Sequence, residues 1–391
     1  MTEPTETASP WYRSMRARRP DEHHRASTPL ELLFDLCFVV AVAQAAVELH
    51  HAIAENHLGT GLIGYLTVFF AIWWAWMNFT WFATAFDTDD VPYRLTTLVQ
   101  IAGGLVLAAG VSSAFERGDF TVITFGYVIM RLAMVAQWLR AARSDPEHRA
   151  TALAYAVGIT VVQLGWLLRL LLPEGLLLPA FLVLVVAELA VPALAERRGQ
   201  PVWHPEHIAE RYGLFTLIVL GESVLSATIA LEAAFTETDH PIGLIALGVA
   251  GLVILFSMWW IYFEQPAHER LTTLKAALRW GYGHYFVFAS AAATGAGLAV
   301  AVDYDLHIAH VGGLPAALAT TVPVAVFVLV VWLLHLDHER MRRVSAAFPT
   351  AAALVVATSF TPAPIHLTAL VMAVLTALLV AARRPASSVI G

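Results

Sequence analysis

Thr28-Pro-Leu-Glu31-Leu-Leu-Phe-Asp35-Leu-Cys-Phe-Val-Val40 is an apolar run with two carboxylates inside it, and the chain carries a second run of the same kind, Glu210-Arg211-Tyr-Gly-Leu-Phe-Thr-Leu-Ile-Val-Leu-Gly-Glu222-Ser223. Further echoes follow each run in the same order. Phe70-Ala-Ile-Trp73-Trp74 answers Phe256-Ser-Met-Trp259-Trp260, and Arg94-Leu-Thr-Thr-Leu98 answers Arg270-Leu-Thr-Thr-Leu274. A carboxylate placed in hydrocarbon costs about 2.5 to 3.5 kcal/mol on insertion scales, so its presence there marks a pathway or a buried pair. The pattern reads as a duplicated membrane protein with a polar interior.

Composition points the same way. The 391 residues are 58% hydrophobic and 14% charged, with mean hydropathy +0.67, against roughly 25% charged residues in soluble domains. A spanning helix needs about 20 mainly apolar residues. Twelve such stretches are expected, at 30–49, 61–82, 95–115, 120–139, 151–172, 176–195, 208–231, 241–263, 277–302, 314–335, 346–361 and 364–382, the eleventh being the weakest. The fold class expected is therefore an all-α integral membrane protein, two six-helix repeats at 28–196 and 207–382. Six spans separate the corresponding helices of the two copies, so both copies enter from the same side and form a parallel repeat, an arrangement that in transporters puts the site between the halves. A β-barrel is excluded, because its segments would be about ten residues long and would alternate in polarity.

Residues 1–27 are polar and Arg-rich, lack the apolar core of a signal peptide, and are expected to form a disordered basic tail. Residues 383–391 form a second tail. Lys and Arg concentrate on one side of the expected topology: Arg94, then Arg140, Arg143 and Arg149, then Arg197 and Arg198, then Arg270, Lys275 and Arg279, then Arg340, Arg342 and Arg343, and finally Arg383 and Arg384. The other side has Arg117 and Arg169 among acids that include Asp119, Glu237, Asp239 and Asp303. The positive-inside rule then puts both termini in the cytoplasm, in a multi-pass protein of the cell inner membrane. Cys37 is the single cysteine and forms no internal disulfide.

Ser27 to Gln44, His207 to Ser226 and Tyr282-Gly-His-Tyr-Phe-Val-Phe288 resemble the bacterial low temperature requirement protein A family over nearly the whole chain after residue 27. Cys37 departs from the apolar residue expected at its place. The resemblance implies a multi-pass inner-membrane protein and carries no settled biochemical activity with it.

Residue by residue, Thr28-Pro29-Leu30-Glu31 fits a capping box with Pro at the first helical position. Asp35 lies one turn deeper on the same face as Glu31, where a helix end no longer explains it; it serves either a structural ion pair or an ion-binding role. Arg211 and Glu222 are eleven residues apart, about 16 Å along a helix. They cannot pair with each other, and Arg211 is expected near the cytoplasmic interface. Gly221, Ser223 and Ser226 favour close helix approach around Glu222. Arg131 is the one deep arginine, with Asp35 and Glu222 as its two possible partners. Gln44, Asn78, Gln137, Gln163, Glu188, Glu264, His284 and His366 read singly as helix–helix contacts, with His284 kept as a site candidate.

The tryptophans at 73, 74, 76 and 81, and at 259 and 260, read as aromatic belts. The histidines at 23–24, 50–51, 204–207 and 335–338 read as solvated span ends, not as a metal site. No phosphate-binding GxxxxGK[ST] loop is present. These readings favour a secondary transporter or ion-translocating protein, with Asp35, Glu222, Arg131, Glu31, Arg211, Ser223 and His284 as transport or ion-binding candidates. A membrane-embedded enzyme acting on lipid, or a structural or regulatory membrane protein, is the alternative. The expected partners are the lipid bilayer and a proton, cation or small solute. No cofactor and no nucleic acid is expected, and the oligomeric state stays open.

Overall fold

The structure, a computed structural model, describes residues 11–18, 26–199, 203–236, 241–264, 269, 271, 273–336 and 342–383. All regular structure among them is helical. The helices are α1 (Pro29–Ala54), α2 (Leu58–Phe86), α3 (Val91–Ala109), α4 (Val111–Arg117), α5 (Thr121–Ser144), α6 (Arg149–Arg169), α7 (Glu174–Ala195), α8 (Pro205–Thr236), α9 (Pro241–Phe263), α10 (Leu274–Asp305), α11 (Gly313–His335), α12 (Arg342–Ser345), α13 (Ala347–Thr358) and α14 (Pro364–Arg383). The expected features at His23, His24, Glu237, Asp239, Arg270, His338, Arg340 and Arg384 lie outside the described residues.

Ten helical stretches among the described residues are long and apolar enough to cross a membrane. Large apolar side chains stand on their outer faces, with Leu132, Leu168, Val183 and Val186 each more than 60% exposed. On a soluble surface such a density of bare leucine and valine is not tolerated; against lipid tails it carries no penalty. The chain is a multi-pass helical membrane protein. The eleventh expected span is short. α13 has 12 residues, about 18 Å of rise against the roughly 30 Å hydrocarbon core, with α12 just before it.

The chain divides into two compact units, residues 1–41 with 71–211 and residues 42–70 with 212–391. This division cuts across the expected boundaries at 196 and 207, because 42–70 groups with the second unit.

In the first unit α3, α5, α6 and α7 pack in succession. In lipid no hydrophobic force draws helices together, so small residues that let backbones approach dominate the contacts. Gly126 of α5 illustrates this: a Cβ there would lie 2.5 Å from the Leu107 amide nitrogen of α3. Asp90 caps α3, accepting from the Tyr93 amide at 3.0 Å. Residues 11–18 also differ from the disordered tail expected. The Arg13 amide donates to Asp90 (2.7 Å), the Ala17 amide to Asp145 (2.9 Å) and the Arg18 amide to the Ala85 carbonyl (3.0 Å). Arg140 pairs with Asp90 and donates to the Arg13 carbonyl. Two acids at helix ends thus fasten an extended segment that has no helix or sheet to satisfy its own amides.

In the second unit α10 packs on α11, α11 on α13, and α9 on α14. Residues 287–298 of α10 are buried without exception, a run rich in Ala, Gly and Ser. A Cβ on Gly297 would collide with the Ala319 carbonyl of α11. Polar side chains with no outside partner bond within their own helix, as Thr294 does to the Ser290 carbonyl at 2.8 Å.

Candidate functional site

Among the described residues, ionizable side chains gather in several places between the helices. The first joins the two echoed motifs. The Thr28 amide donates to Glu31 Oε2 at 2.8 Å and the Glu31 amide faces Thr28 Oγ1 at 3.3 Å, a reciprocal capping box. The same Glu31 offers its other oxygen, at 3.1 Å, to Arg211 of α8. Arg211 also bonds Asp35 Oδ1 at 2.5 Å, and Trp76 Nε1 donates to that oxygen at 2.7 Å. His207 lies 3.4 Å from Glu31 and 2.9 Å from Thr84 Oγ1. Glu31, Asp35, His207 and Arg211 are fully closed to solvent. Arg211 is therefore buried against two carboxylates, one of them in the first turn of α1. A planar guanidinium suits the role, because its fork reaches two carboxylates at once.

The second group answers Arg131, and its partner is neither Asp35 nor Glu222. Arg131 donates to Glu188 of α7 at 3.1 Å and to the Tyr127 hydroxyl at 3.0 Å, and its guanidinium lies over the Tyr127 ring. Trp74 and Trp166 donate to the two Glu188 oxygens at 2.8 and 3.1 Å. Trp73, Trp74 and Trp76 are thus buried and do not form the interfacial belt expected, and two of them serve carboxylates. Each residue advances 100° around a helix, so Trp74 and Trp76 point about 200° apart and cannot share one lipid face. That spacing was the available signal. Trp259 and Trp260 are more than 40% exposed, as a belt requires.

The third group, in the second unit, is built differently. Glu222 and Ser223 of α8, Ala43 to His50 of α1, and Ala292 to Asp303 of α10 line a cavity of about 130 Å³. Ser223 packs on Gly295, where a Cβ would lie 3.0 Å from the Ser223 Cα. Its hydroxyl reaches the Val219 and Ala291 carbonyls, both at 3.1 Å. Gly221, expected to make this close approach, has open space beside it. Glu222 is half-buried, and among the described residues no hydrogen bond or ion pair engages its carboxylate. At the far end of the cavity His50 Nε2 meets Asp303 Oδ2 at 2.6 Å.

His284 stands apart from this cavity. Its Nδ1 faces the Trp280 carbonyl at 2.8 Å, and its Nε2 faces the Tyr262 hydroxyl at 3.0 Å and His335 Nε2 at 3.3 Å. His50, His207 and His335 were expected at solvated ends; His207 and His335 are buried, and all three have polar partners within 3.4 Å. No group of three or more His, Cys, Asp or Glu among the described residues is placed to hold a metal ion.

Residues 26–383 match the family described as the bacterial low temperature requirement A protein. An uncharacterized protein of Rhizobium meliloti (strain 1021) is 30% identical over 251 residues. That match covers 61% of this chain and 58% of the relative's own length.

Proposed function

The chain belongs to the bacterial low temperature requirement A family, and we propose that it is a secondary transporter or ion-translocating protein whose working carboxylate is Glu222. The observation that carries this reading is a contrast. Glu31, Asp35 and Glu188 are buried and held by arginine and tryptophan donors, which is what a structural pair requires. Glu222 has no such partner among the described residues and borders a cavity. An intramembrane carboxylate left unpaired beside open space is suited to take up and release a charge.

The same proposal carries the finer architecture. α8, 32 residues long, and the α12–α13 stretch supply the two spans beyond the ten, giving twelve in a parallel 6+6 repeat. The cavity walls draw on both halves of that repeat, α1 from the first and α8 and α10 from the second. An even span count puts both termini on one side, the cytoplasmic side by the Arg distribution. The hydrogen bonds of residues 13–18 to Ala85, Asp90 and Asp145 agree, since these residues border connections assigned to that side.

The test is electrical. Purified protein in proteoliposomes on a solid-supported membrane is exposed to H⁺, Na⁺ and K⁺ gradients in turn, with bath and candidate solutes. The wild type gives a current, and Glu222→Gln abolishes it while remaining monodisperse with an unchanged melting temperature. Undiminished current in a folded Glu222→Gln protein removes Glu222 from the mechanism.

A further inference from the structure

Resting on that reading, we propose that the ion is a proton, and that His50 with Asp303 delivers it to Glu222 along the alanine-walled cavity. The donor set decides the ion class. A dehydrated metal cation needs a cage of oxygens, six to eight for calcium or rings of carbonyls in a potassium filter. The cavity offers the Glu222 carboxylate and the Ser223 hydroxyl at one end, and the Asp303 carboxylate at the other; Ala43, Ala46, Ala292, Ala296 and Ala299 fill the wall between. Ser223 already points its hydroxyl hydrogen at backbone carbonyls. A proton needs one lone pair, and Glu222 supplies it.

The length of the cavity assigns the relay. Gly295 faces Ser223 and Asp303 follows it by eight residues, about 12 Å along α10. At roughly 30 Å³ per water the cavity of about 130 Å³ holds about four. Four waters between two end groups make five hydrogen bonds of about 2.8 Å each and bridge about 14 Å. His50 and Asp303 keep side-chain exposures of 19% and 25%, so the pair is reachable from outside the helix pack. The step balances without any further reactant. The imidazole takes a proton on one nitrogen and releases one to the first water. Each water passes one on, and an O–H bond forms on Glu222 as the last water's O–H bond breaks. Asp303, 2.6 Å from the ring, compensates the imidazolium. His50 from α1 and Asp303 from α10 are the titratable groups that line the cavity with Glu222.

Two measurements test this. A hydrophobic carbodiimide attacks a carboxyl in its protonated form, so its adduct on the peptide carrying Glu222 is followed by mass spectrometry in wild-type proteoliposomes. Labelling is expected to fall as pH rises and to ignore Na⁺ and K⁺. Protection by Na⁺ or K⁺ overturns the proton assignment while leaving ion translocation through Glu222 standing. Proton flux driven by a valinomycin potential is then read with an internal pH dye. His50→Gln and Asp303→Asn are expected to lower it at least tenfold, with Glu222 labelling at low pH retained as evidence that the cavity is intact. Flux equal to wild type in both variants overturns the relay.

Discussion

Asp35 Oδ1 lies 2.5 Å from the Arg211 guanidinium with both side chains closed to solvent, so the two copies of the sequence echo meet through their charged residues. Removing one partner of a buried pair leaves the other charge uncompensated, at a cost of about 3 to 5 kcal/mol. Arg211→Met is expected to lower stability by that amount, read as a fall in melting temperature in detergent. Arg211→Lys recovers only part, because one ammonium cannot serve Glu31 and Asp35 with the geometry of a fork. A melting temperature for Arg211→Met equal to that of wild type contradicts the pairing.

The Glu188 centre predicts a graded response. Trp74→Phe removes one of the donors to Glu188 and is expected to cost about 1 to 3 kcal/mol, whereas Arg131→Met takes away the charge and costs about 3 to 5 kcal/mol. Thermal melts of the two variants should fall in that order. An equal, negligible effect in both shows that Arg131 and Trp74 do not hold Glu188.

Much of this was legible in the sequence, and the limits have physical causes. Apolar run length marks spans, so the first six spans were readable to within about five residues, but the one expected at 95–115 is broken at Gly110 into α3 and α4. The capping box at Thr28 and Glu31 was readable because capping is local. Partner choice was not: Arg131 has its carboxylate 57 residues away on α7 and Arg211 has Asp35 176 residues away on α1, separations that no spacing rule reaches. His50 and His207 lie near chain turns, where a histidine ordinarily meets water; only the packing of α10 and α1 beside them supplies Asp303 and Glu31.

The docked N-terminal segment predicts a pH response with a definite sign. Burial disfavours the charge on Asp90, but hydrogen bonds from Arg140 and from the Arg13 and Tyr93 amides outweigh it and hold the carboxyl below the usual aspartate range. Asp145 is likewise held low against burial, by the Ala17 amide and by His148. A carboxylate whose folded value is depressed stabilises above its ordinary value and loses that contribution as pH falls through the lowered one. Residues 11–18 should stay docked at neutral pH and release only in acid below the ordinary aspartate range. Amide hydrogen exchange at Arg13 and Ala17 reads this directly. Asp90→Asn should raise exchange at Arg13 even at pH 7, and unchanged protection there contradicts the anchoring role of Asp90.

The cavity depends on how closely α8 and α10 run. A Cβ on Gly295 would lie 2.9 Å from Ser223 Oγ and 3.0 Å from Ser223 Cα and Cβ, tighter than van der Waals packing allows and with backbone among the atoms met. Gly295→Ala must therefore push the helices apart, and overpacking of this kind costs about 1 to 3 kcal/mol. Ser223→Gly in the same chain removes the side-chain oxygen and carbon from the clash but leaves the backbone carbon in place, so the double variant should regain part of the loss and not all of it. The two melting temperatures, compared with that of Ser223→Gly alone, give the coupling between the sites. Full independence of the two substitutions means that α8 and α10 do not touch at Ser223 and Gly295, and the wall of the cavity beside Glu222 is then not where the geometry puts it.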